Sequence, residues 1–244
     1  MDIRELFKTN RFISGALKNT GFRVLFSLVV LSLTIIAIIL NDPMEPISIE
    51  PLSQDPVTVF PDFTEIVDVD DKKRQFLDYL EGFIVTENKE IAVLRSRLFS
   101  LKEVIEREGS LNLREADEII ALSEIYRVEN NGISTQEVVN ELILRIDHIP
   151  VSMALAQAAN ESAWGTSRFT IEGNNVFGQW CYEEGCGIVP SRRVSGARHE
   201  VEFFDTVENS VKSYFLNINT HGSYAYLREL RFKMRERGLK LDPM

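Results

Sequence analysis

Residues 156–169 read AQAANESAWGTSRF, and residues 173–180 read GNNVFGQW. The residues before Glu161 are mostly small, and a helix is predicted to end close to Glu161. Trp164 and Gly165 are expected to stop this helix. A carboxylate at a helix C-terminus lies at the negative end of the helix dipole, which disfavours its charged form. A carboxyl group that keeps its proton near neutral pH suits general acid chemistry. The stretch therefore predicts a helix boundary with an acid candidate on it.

Helices are predicted before this stretch. Apolar residues recur at three- and four-residue steps over 70–108 and again over 112–129, as they do on one face of a helix. Ser134 and Glu137 have the spacing of a capping box, which predicts the start of a third helix. Pro150 ends that helix and precedes the one that carries Glu161.

The amino-acid composition changes after Gly165. Six glycines occur between Gly165 and Gly196, and HEVEFF at 199–204 is typical of a strand. Helices return at 207–217 and 225–237. These patterns predict an α+β fold, which is a mainly helical domain with a small β-hairpin lobe, preceded by one transmembrane helix.

The predicted transmembrane helix is the uncharged segment Val24–Leu40. Its 17 residues reach about 26 Å, near the lower limit for a spanning helix. Five basic residues precede it and only two acidic residues oppose them: Arg4, Lys8, Arg11, Lys18 and Arg23 against Asp2 and Glu5. This asymmetry predicts an uncleaved signal anchor with a cytoplasmic N-terminus. A cleaved signal peptide is the alternative, although IIAIILNDP offers a poor cleavage site.

Charge and proline are concentrated after this segment. Residues 41–149 carry 24 Asp and Glu against 11 Lys and Arg, and residues 150–244 carry 11 of each. The acidity argues against nucleic acid as a partner, because nucleic-acid binding needs a basic surface. Five of the eight prolines lie between Asn41 and Pro61, which predicts an extended, stiff stalk over 41–69.

Cys181 and Cys186 are the only cysteines of the chain. Outside the cytoplasm such a close pair is expected to form a disulfide. Two reduced thiols, or a zinc site with His199 as an added ligand, are the alternatives. The spacing does not match a recognised zinc pattern.

Four stretches together resemble a known family. They are QAANESAWGTSRF (157–169), GNNVFGQWCYEEGCGIVP (173–190), HEVEFFDTVENSVKSYFLNINTH (199–221) and SYAYLRELR (223–231). The chain resembles the peptidoglycan N-acetylglucosaminidases of glycoside hydrolase family 73, in the lysozyme superfamily, over about residues 70–244. The motif ExxWG followed by N(x)FG carries the resemblance. It implies a lysozyme-like fold with a cleft between the helices and a β-lobe, and hydrolysis of the β-1,4 bond after N-acetylglucosamine.

The resemblance assigns Glu161 as the catalytic acid, and Glu161 is also the only carboxylate between Pro150 and Phe169. Family members often place a second carboxylate in the β-lobe. Glu183, Glu184, Glu200 and Glu202 are the candidates here, and Glu200, 39 residues after Glu161, is the preferred one. The N-acetyl group of the substrate is the alternative to a second carboxylate.

The family also has a late tyrosine, where this chain has Ile218. Tyr224 or Tyr226 is the substitute that the sequence offers, and Tyr224 is the preferred one. Residues in and near the two motifs are predicted to bind the sugar: Trp164, Asn175, Phe177, Gly178, Trp180 and Tyr182. No metal or organic cofactor is implied.

The resulting organisation has five parts. They are a cytoplasmic segment (1–23), a signal anchor (24–40), a periplasmic stalk (41–69), helices of the domain (70–149) and the catalytic core (150–244). The predicted partners are peptidoglycan glycan strands and the inner membrane, and no protein partner is indicated. Two other functions stay open, namely a lytic transglycosylase and a non-catalytic peptidoglycan-binding scaffold tethered to the membrane.

Overall fold

The computed structural model describes residues 60–194 and 196–241. The predicted anchor and most of the predicted stalk lie outside these residues. Among the described residues, no helix is both long and apolar enough to cross a membrane. The rest of the predicted stalk, from Phe60 onward, packs on the domain, because Phe60 and Phe63 are buried among its aromatic side chains.

One long helix, α1 (Val69–Glu108), supports the domain. Its 40 residues span about 60 Å at the rise of an α-helix. Asp68 caps its start by accepting the N–H of Asp71, and Gly109 ends it in the left-handed conformation. The apolar steps predicted from the sequence are confirmed as one buried stripe of α1, formed by Phe76, Leu80, Ile84, Ile91, Leu98, Leu101 and Ile105.

Three shorter helices follow α1. They are α2 (Leu113–Ile125), α3 (Thr135–Arg145) and α4 (Val151–Glu161). Capping boxes start α2 at Asn112 and α3 at Ser134, the second as predicted. The second helix ends four residues earlier than the predicted 129, because Arg127 adopts a positive φ of 54°.

The core lies where α3, α4 and α6 (Val207–Thr220) pack against α1. Phe76, Leu142 and Phe215 are fully buried at these contacts. Burial of each such side chain stabilises the fold by about 1.5–3 kcal/mol. The small residues of α4, Ala154 and Ala158, are also fully buried and let α4 approach its neighbours closely.

The sheet is small and antiparallel. A one-and-a-half-turn helix, α5 (Arg168–Gly173), precedes β1 (Trp180–Cys181), β2 (Gly187–Ile188) and β3 (Glu200–Glu202). The strand order is β1-β3-β2. The predicted hairpin is therefore part of a three-stranded sheet with β3 in the centre, and the α+β class is confirmed for the described residues.

The C-terminal part of the domain is helical, as predicted. A 3₁₀ turn (Gly222–Tyr224) leads from α6 into α7 (Ala225–Glu236). Arg231 fixes α7 to the core, because its buried guanidinium donates to the carbonyls of Arg145, Asp147 and His148. These bonds tie α7 to the end of α3, immediately before the helix that carries Glu161.

Candidate active site

The turn that follows α4 is unusual. Ala163, Trp164 and Gly165 have φ values of 51°, 58° and 77°, so three consecutive residues are left-handed. Residues other than glycine pay about 1–3 kcal/mol for such a conformation and keep it only where the surroundings enforce it. This strained turn starts two residues after Glu161, which is the last residue of α4 and is exposed.

Packing around Gly165 enforces the turn. Its N–H donates to the buried Ser162 hydroxyl at 2.9 Å. A β-carbon on Gly165 would lie 2.7 Å from Phe63 and 2.9 Å from Phe76, closer than real side chains come. The position therefore requires glycine for space as well as for φ.

Trp164 is an anchor in this turn. Its ring meets the edge of Phe76 with centroids 6.1 Å apart, and the Lys73 ammonium lies 5.3 Å from the ring centroid. Both of these contacting residues belong to α1. The predicted contact of Trp164 with sugar stays a prediction.

Gly178 lies directly against Glu161. A β-carbon on Gly178 would be 3.4 Å from Glu161 Oε2, and the φ of Gly178 is 63°. The other carboxylate oxygen, Oε1, accepts a hydrogen bond from the Asn160 side chain at 3.2 Å. Gly178 thus adopts the left-handed conformation, and the side-chain group that it approaches is the carboxylate of Glu161. Its predicted contact with sugar stays a prediction.

Asn175 holds the loop that carries Gly178. Its Nδ2 donates to the carbonyls of Gln179 and Glu202, both at 2.9 Å, and its Oδ1 accepts from the N–H of Gln179 at 3.0 Å. Asn175 is buried. Its polar atoms therefore join the motif loop to β3, and its predicted role in binding sugar stays a prediction.

Phe177 is also buried, and its ring stacks on Tyr214 of α6, with centroids 3.9 Å apart and planes 8° from parallel. The Tyr214 hydroxyl donates to Gln157 Oε1. Gln157 is one helical turn before Glu161 on α4, so these contacts connect the helix that carries Glu161 to α6.

Tyr214 was not predicted as a site residue from the sequence, because its spacing with Val211, Phe215 and Ile218 is typical of buried core residues. Gln157, four residues before Glu161, was the available signal.

The late tyrosines differ in their placement. Ile218, at the family's tyrosine position, is fully buried in the core, and Tyr226 is exposed on α7. Tyr224 is half-buried and lies near Tyr214. Burial first, and then Tyr224, raise the pKa of the Tyr214 hydroxyl above its usual value. The structure therefore brings Tyr224, and not Tyr226, next to the Tyr214–Gln157 pair.

The sheet carries an aromatic surface. Trp180 is 54% exposed and stacks on His199, with centroids 4.3 Å apart and planes 11° from parallel. Tyr182 is exposed two residues further on. A disulfide joins Cys181 and Cys186, as predicted, so both sulfurs are unavailable to zinc. The disulfide closes the loop between β1 and β2 beneath this surface.

Glu200 and Glu202 have different surroundings on β3. The Glu200 carboxylate is buried, accepts the N–H of Gly187 at 3.0 Å and lies 3.8 Å from Arg193 Nη1. Glu202 is half-buried, and burial raises the pKa of its carboxyl above the usual value. Glu183 and Glu184 are exposed in the disulfide loop. The N–H of Gly187 and the guanidinium of Arg193 thus hold the Glu200 carboxylate within its own lobe. Glu200 therefore has a structural role.

Across the described residues, no group of three or more His, Cys, Asp or Glu side chains is arranged to hold a metal ion. The chemistry that the site offers is that of an exposed carboxyl group, Glu161, fixed between a strained turn and a glycine loop. The exposed aromatic rings of Trp180 and Tyr182 suit the apolar faces of sugar rings.

Comparisons with known proteins match the part of the chain that carries this site. Residues 139–240 match the family described as mannosyl-glycoprotein endo-beta-N-acetylglucosaminidase, or glucosaminidase. The chain is 32% identical over 165 residues to protein Bax of Escherichia coli strain K12. The aligned region covers 68% of this chain and 57% of Bax, so the chain spans less than two thirds of that relative. No solved structure matches the chain.

Proposed function

Because residues 139–240 form a Bax-like domain of the glucosaminidase family, we propose that this chain is a peptidoglycan hydrolase. It acts as an endo-β-N-acetylglucosaminidase on the β-1,4 bond after N-acetylglucosamine. The observation that carries the proposal is the Glu161 carboxyl, exposed at the end of α4 and set against Gly178. The family match supports the substrate class, and the site geometry supports the acid.

Glu161 acts as the general acid. It donates a proton to the glycosidic oxygen as the bond to the anomeric carbon breaks and an oxocarbenium-like transition state develops. A positioned acid contributes about 10²–10⁴ in rate. Gly178 has no β-carbon, so it leaves space beside Glu161 Oε2 for the carboxyl to face the bond.

Water then attacks the anomeric carbon. Either the Glu200 carboxylate accepts the proton of this water, or the N-acetyl oxygen of the substrate first bonds to the anomeric carbon as the glycosidic bond breaks. In the second case the ionised Glu161 accepts the proton of the water that opens the new ring. The hydrogen bond from Gly187 and the ion pair with Arg193 engage Glu200, and this engagement favours assistance by the N-acetyl group. Tyr224, beside Tyr214, is proposed to contact the reacting sugar in place of the family's late tyrosine.

Trp180 and Tyr182 hold the glycan strand. Both rings are exposed on the lobe that follows the Gly178 loop. His199 supports the Trp180 ring from one side, which leaves its other face for a sugar ring.

The location of the domain is proposed from the predicted signal anchor at 24–40 and the predicted stalk at 41–69. We propose that the chain sits in the inner membrane with its N-terminus in the cytoplasm and its domain in the periplasm, where peptidoglycan lies. Protease protection of a C-terminal tag in spheroplasts tests this topology. Digestion of the tag from outside is expected, and protection of the tag in intact spheroplasts would contradict the proposal.

The activity is tested by digesting purified peptidoglycan sacculi with the full chain, its Glu161→Gln variant and its Glu172→Gln variant. Glu172 is an exposed carboxylate on α5 and serves as the matched control. Mass spectrometry after borohydride reduction identifies the new ends. Reducing-end N-acetylglucosamine is expected from the wild type and from Glu172→Gln, and not from Glu161→Gln.

Other products would assign a different function. Anhydro-muramyl ends would make the chain a lytic transglycosylase, which needs a single acid. Binding to sacculi without release of fragments by the wild type would make it a scaffold.

A further inference from the structure

A second concave site lies on another part of the domain. A cavity of about 910 Å³ opens between α1, α3 and α7. No residue of α4, α5 or the sheet lines it, so it is separate from Glu161. Its volume is within the roughly 300–1,000 Å³ of small-ligand sites. Phe99 and Phe232, which are 44% and 36% exposed, form apolar walls.

Arg95 forms part of the floor of this cavity. It is only 8% exposed, and its Nη1 donates to the carbonyls of Ile143 and Ile146. Within the described residues, no hydrogen bond is made by its Nε or Nη2 groups. The face of Phe99 covers the guanidinium at 5.3 Å. A buried guanidinium with unused N–H groups next to a cavity is suited to bind an anion.

Arg235 adds a second cation to the same cavity. Its Nε and Nη2 donate to Asp147, which leaves Nη1 without a hydrogen-bond acceptor among the described residues. Asp147 is 2% exposed and is shared by Arg95, Arg231 and Arg235. Burial lowers the pKa of Arg231 to about 10, which still leaves it charged at neutral pH. One carboxylate thus faces three guanidinium groups, of which those of Arg95 and Arg231 are buried, and such an excess of positive charge at a partly buried site favours a further anion.

The rim of the cavity carries four carboxylates and the ammonium groups of Lys102 and Lys233. Glu141 pairs with Arg145 at 2.7 Å and Glu229 with Lys233 at 3.8 Å, whereas Glu137 caps α3. Glu236, at the end of α7, makes no ion pair within the described part of the chain. A ligand that matches this site has a carboxylate for the floor and an ammonium group for the rim. A short peptide with both groups fits.

We propose that this cavity binds the stem peptide of peptidoglycan, with a peptide carboxylate on Arg95 and Arg235 and a peptide ammonium at Glu236. The choice of this peptide rests on the proposed function, because stem peptides are attached to the glycan strands on which the domain acts. Holding the peptide at one site while the glycan occupies another raises the effective concentration of the strand.

The test is calorimetric titration of the full chain with a soluble synthetic stem tetrapeptide that contains diaminopimelate and carries no sugar. The matched variants are Phe99→Glu, which places a carboxylate beside Arg95, and Phe99→Gln, which has the same shape without the charge. We expect binding by the wild type and a Kd for Phe99→Glu at least about tenfold weaker than that for Phe99→Gln, because both variants lose the phenyl ring and only the first adds a carboxylate. A peptide with its carboxyl groups amidated is also expected to bind at least about tenfold more weakly.

No binding by the wild type would overturn the proposal, as would equal binding of the amidated peptide or of acetate alone. The amidated peptide keeps the test decisive if Phe99→Glu does not fold. Digestion of glycan strands stripped of their peptides separates the two proposals. Hydrolysis without peptide binding would refute only the peptide site, and peptide binding without hydrolysis would refute only the enzymatic function.

Discussion

At the scale of single residues, the site depends on two glycines that follow Glu161 in the motif. Gly165 permits the left-handed turn after α4, where Phe63 and Phe76 leave no room for a side chain. Gly178 lets the next loop come within contact of the carboxylate. Each glycine is thus explained by the space available to it as well as by its backbone conformation. Gly165 lies against Phe63 and Phe76, and Gly178 lies against the carboxylate of Glu161.

Gly178→Ala is expected to lower kcat by at least about tenfold, because a residue with a β-carbon rarely adopts the φ of 63° found at Gly178. The loop that lies against the Glu161 carboxylate must then shift, and small misplacements of a catalytic group are costly. Its matched control is Gly132→Ala, which also has a positive φ, of 80°, but has open space around the new methyl group. Both variants should lose roughly 1 kcal/mol of stability. Activity measurements on sacculi and thermal unfolding check this, and equal activity of the two variants would contradict it.

Tyr214→Phe is expected to reduce activity while it preserves the stack on Phe177, because only the hydrogen bond to Gln157 is removed. The loss of stability should be about 0.5–1.5 kcal/mol. If the hydroxyl acts through Gln157, Gln157→Ala in the Tyr214→Phe background should add little further loss. Fully additive losses of kcat in the double variant would show that the two residues act independently.

At the scale of elements, the junction of α1 with α6 contains a carboxyl group in an unfavourable place. Glu87 of α1 has a buried oxygen, Oε2, with no hydrogen-bond partner in the described part of the chain. Burial, and then Glu90, raise its pKa to about 7, while Lys212 of α6 lowers it and Glu208 raises it. The ammonium of Lys212 is already shared by Glu90 and Glu208, so it compensates Glu87 only in part.

The domain should therefore lose stability as the pH rises from about 4.5 to 7. Below the usual pKa of 4.5, Glu87 is protonated in the folded and the unfolded chain. Above that pH the unfolded chain releases the proton first, and the folded state is penalised. Glu87→Gln should be more stable than the wild type by roughly 1–3 kcal/mol at about pH 8 and equally stable at about pH 4.5.

Urea unfolding at the two pH values measures this difference. Glu106→Gln, at an exposed position of the same helix, is the control and should leave the pH dependence of the wild type unchanged. A stabilisation by Glu87→Gln of the same size at both pH values would contradict the burial of an ionised group.

Some helices could be predicted from the sequence, whereas the arrangement of the strands could not. The periodic steps of α1 and the Ser134–Glu137 box predicted helices, because both signals are local. The strand order β1-β3-β2 was not predicted. Two-residue strands carry no periodic signal, and their pairing depends on Gly187, where a β-carbon would be 2.0 Å from the Val201 carbonyl oxygen.

At the scale of the whole molecule, the sequence predicted Glu161 as the candidate acid but did not predict the residues that support its helix. Glu161 and Gly178 were found from the motif, whereas Tyr214 is more than fifty residues away and its packing partner is not visible in a helical pattern. The cations of Arg95 and Arg235 were missed for the same reason, since α1 and α7 meet only in the folded chain. The features that the sequence did not predict are thus those that depend on contacts between residues far apart in the chain.

The central claim is that Glu161 protonates the leaving oxygen of a glycosidic bond. It is tested most directly by comparing two substrates in wild type and Glu161→Gln, namely peptidoglycan strands and a chitooligosaccharide with a dinitrophenyl leaving group, which needs no protonation. The account predicts that the variant loses at least about 10²–10⁴ of kcat/KM on strands and stays within about tenfold of wild type on the dinitrophenyl substrate. Equal losses on both substrates, or no loss on strands, would contradict it.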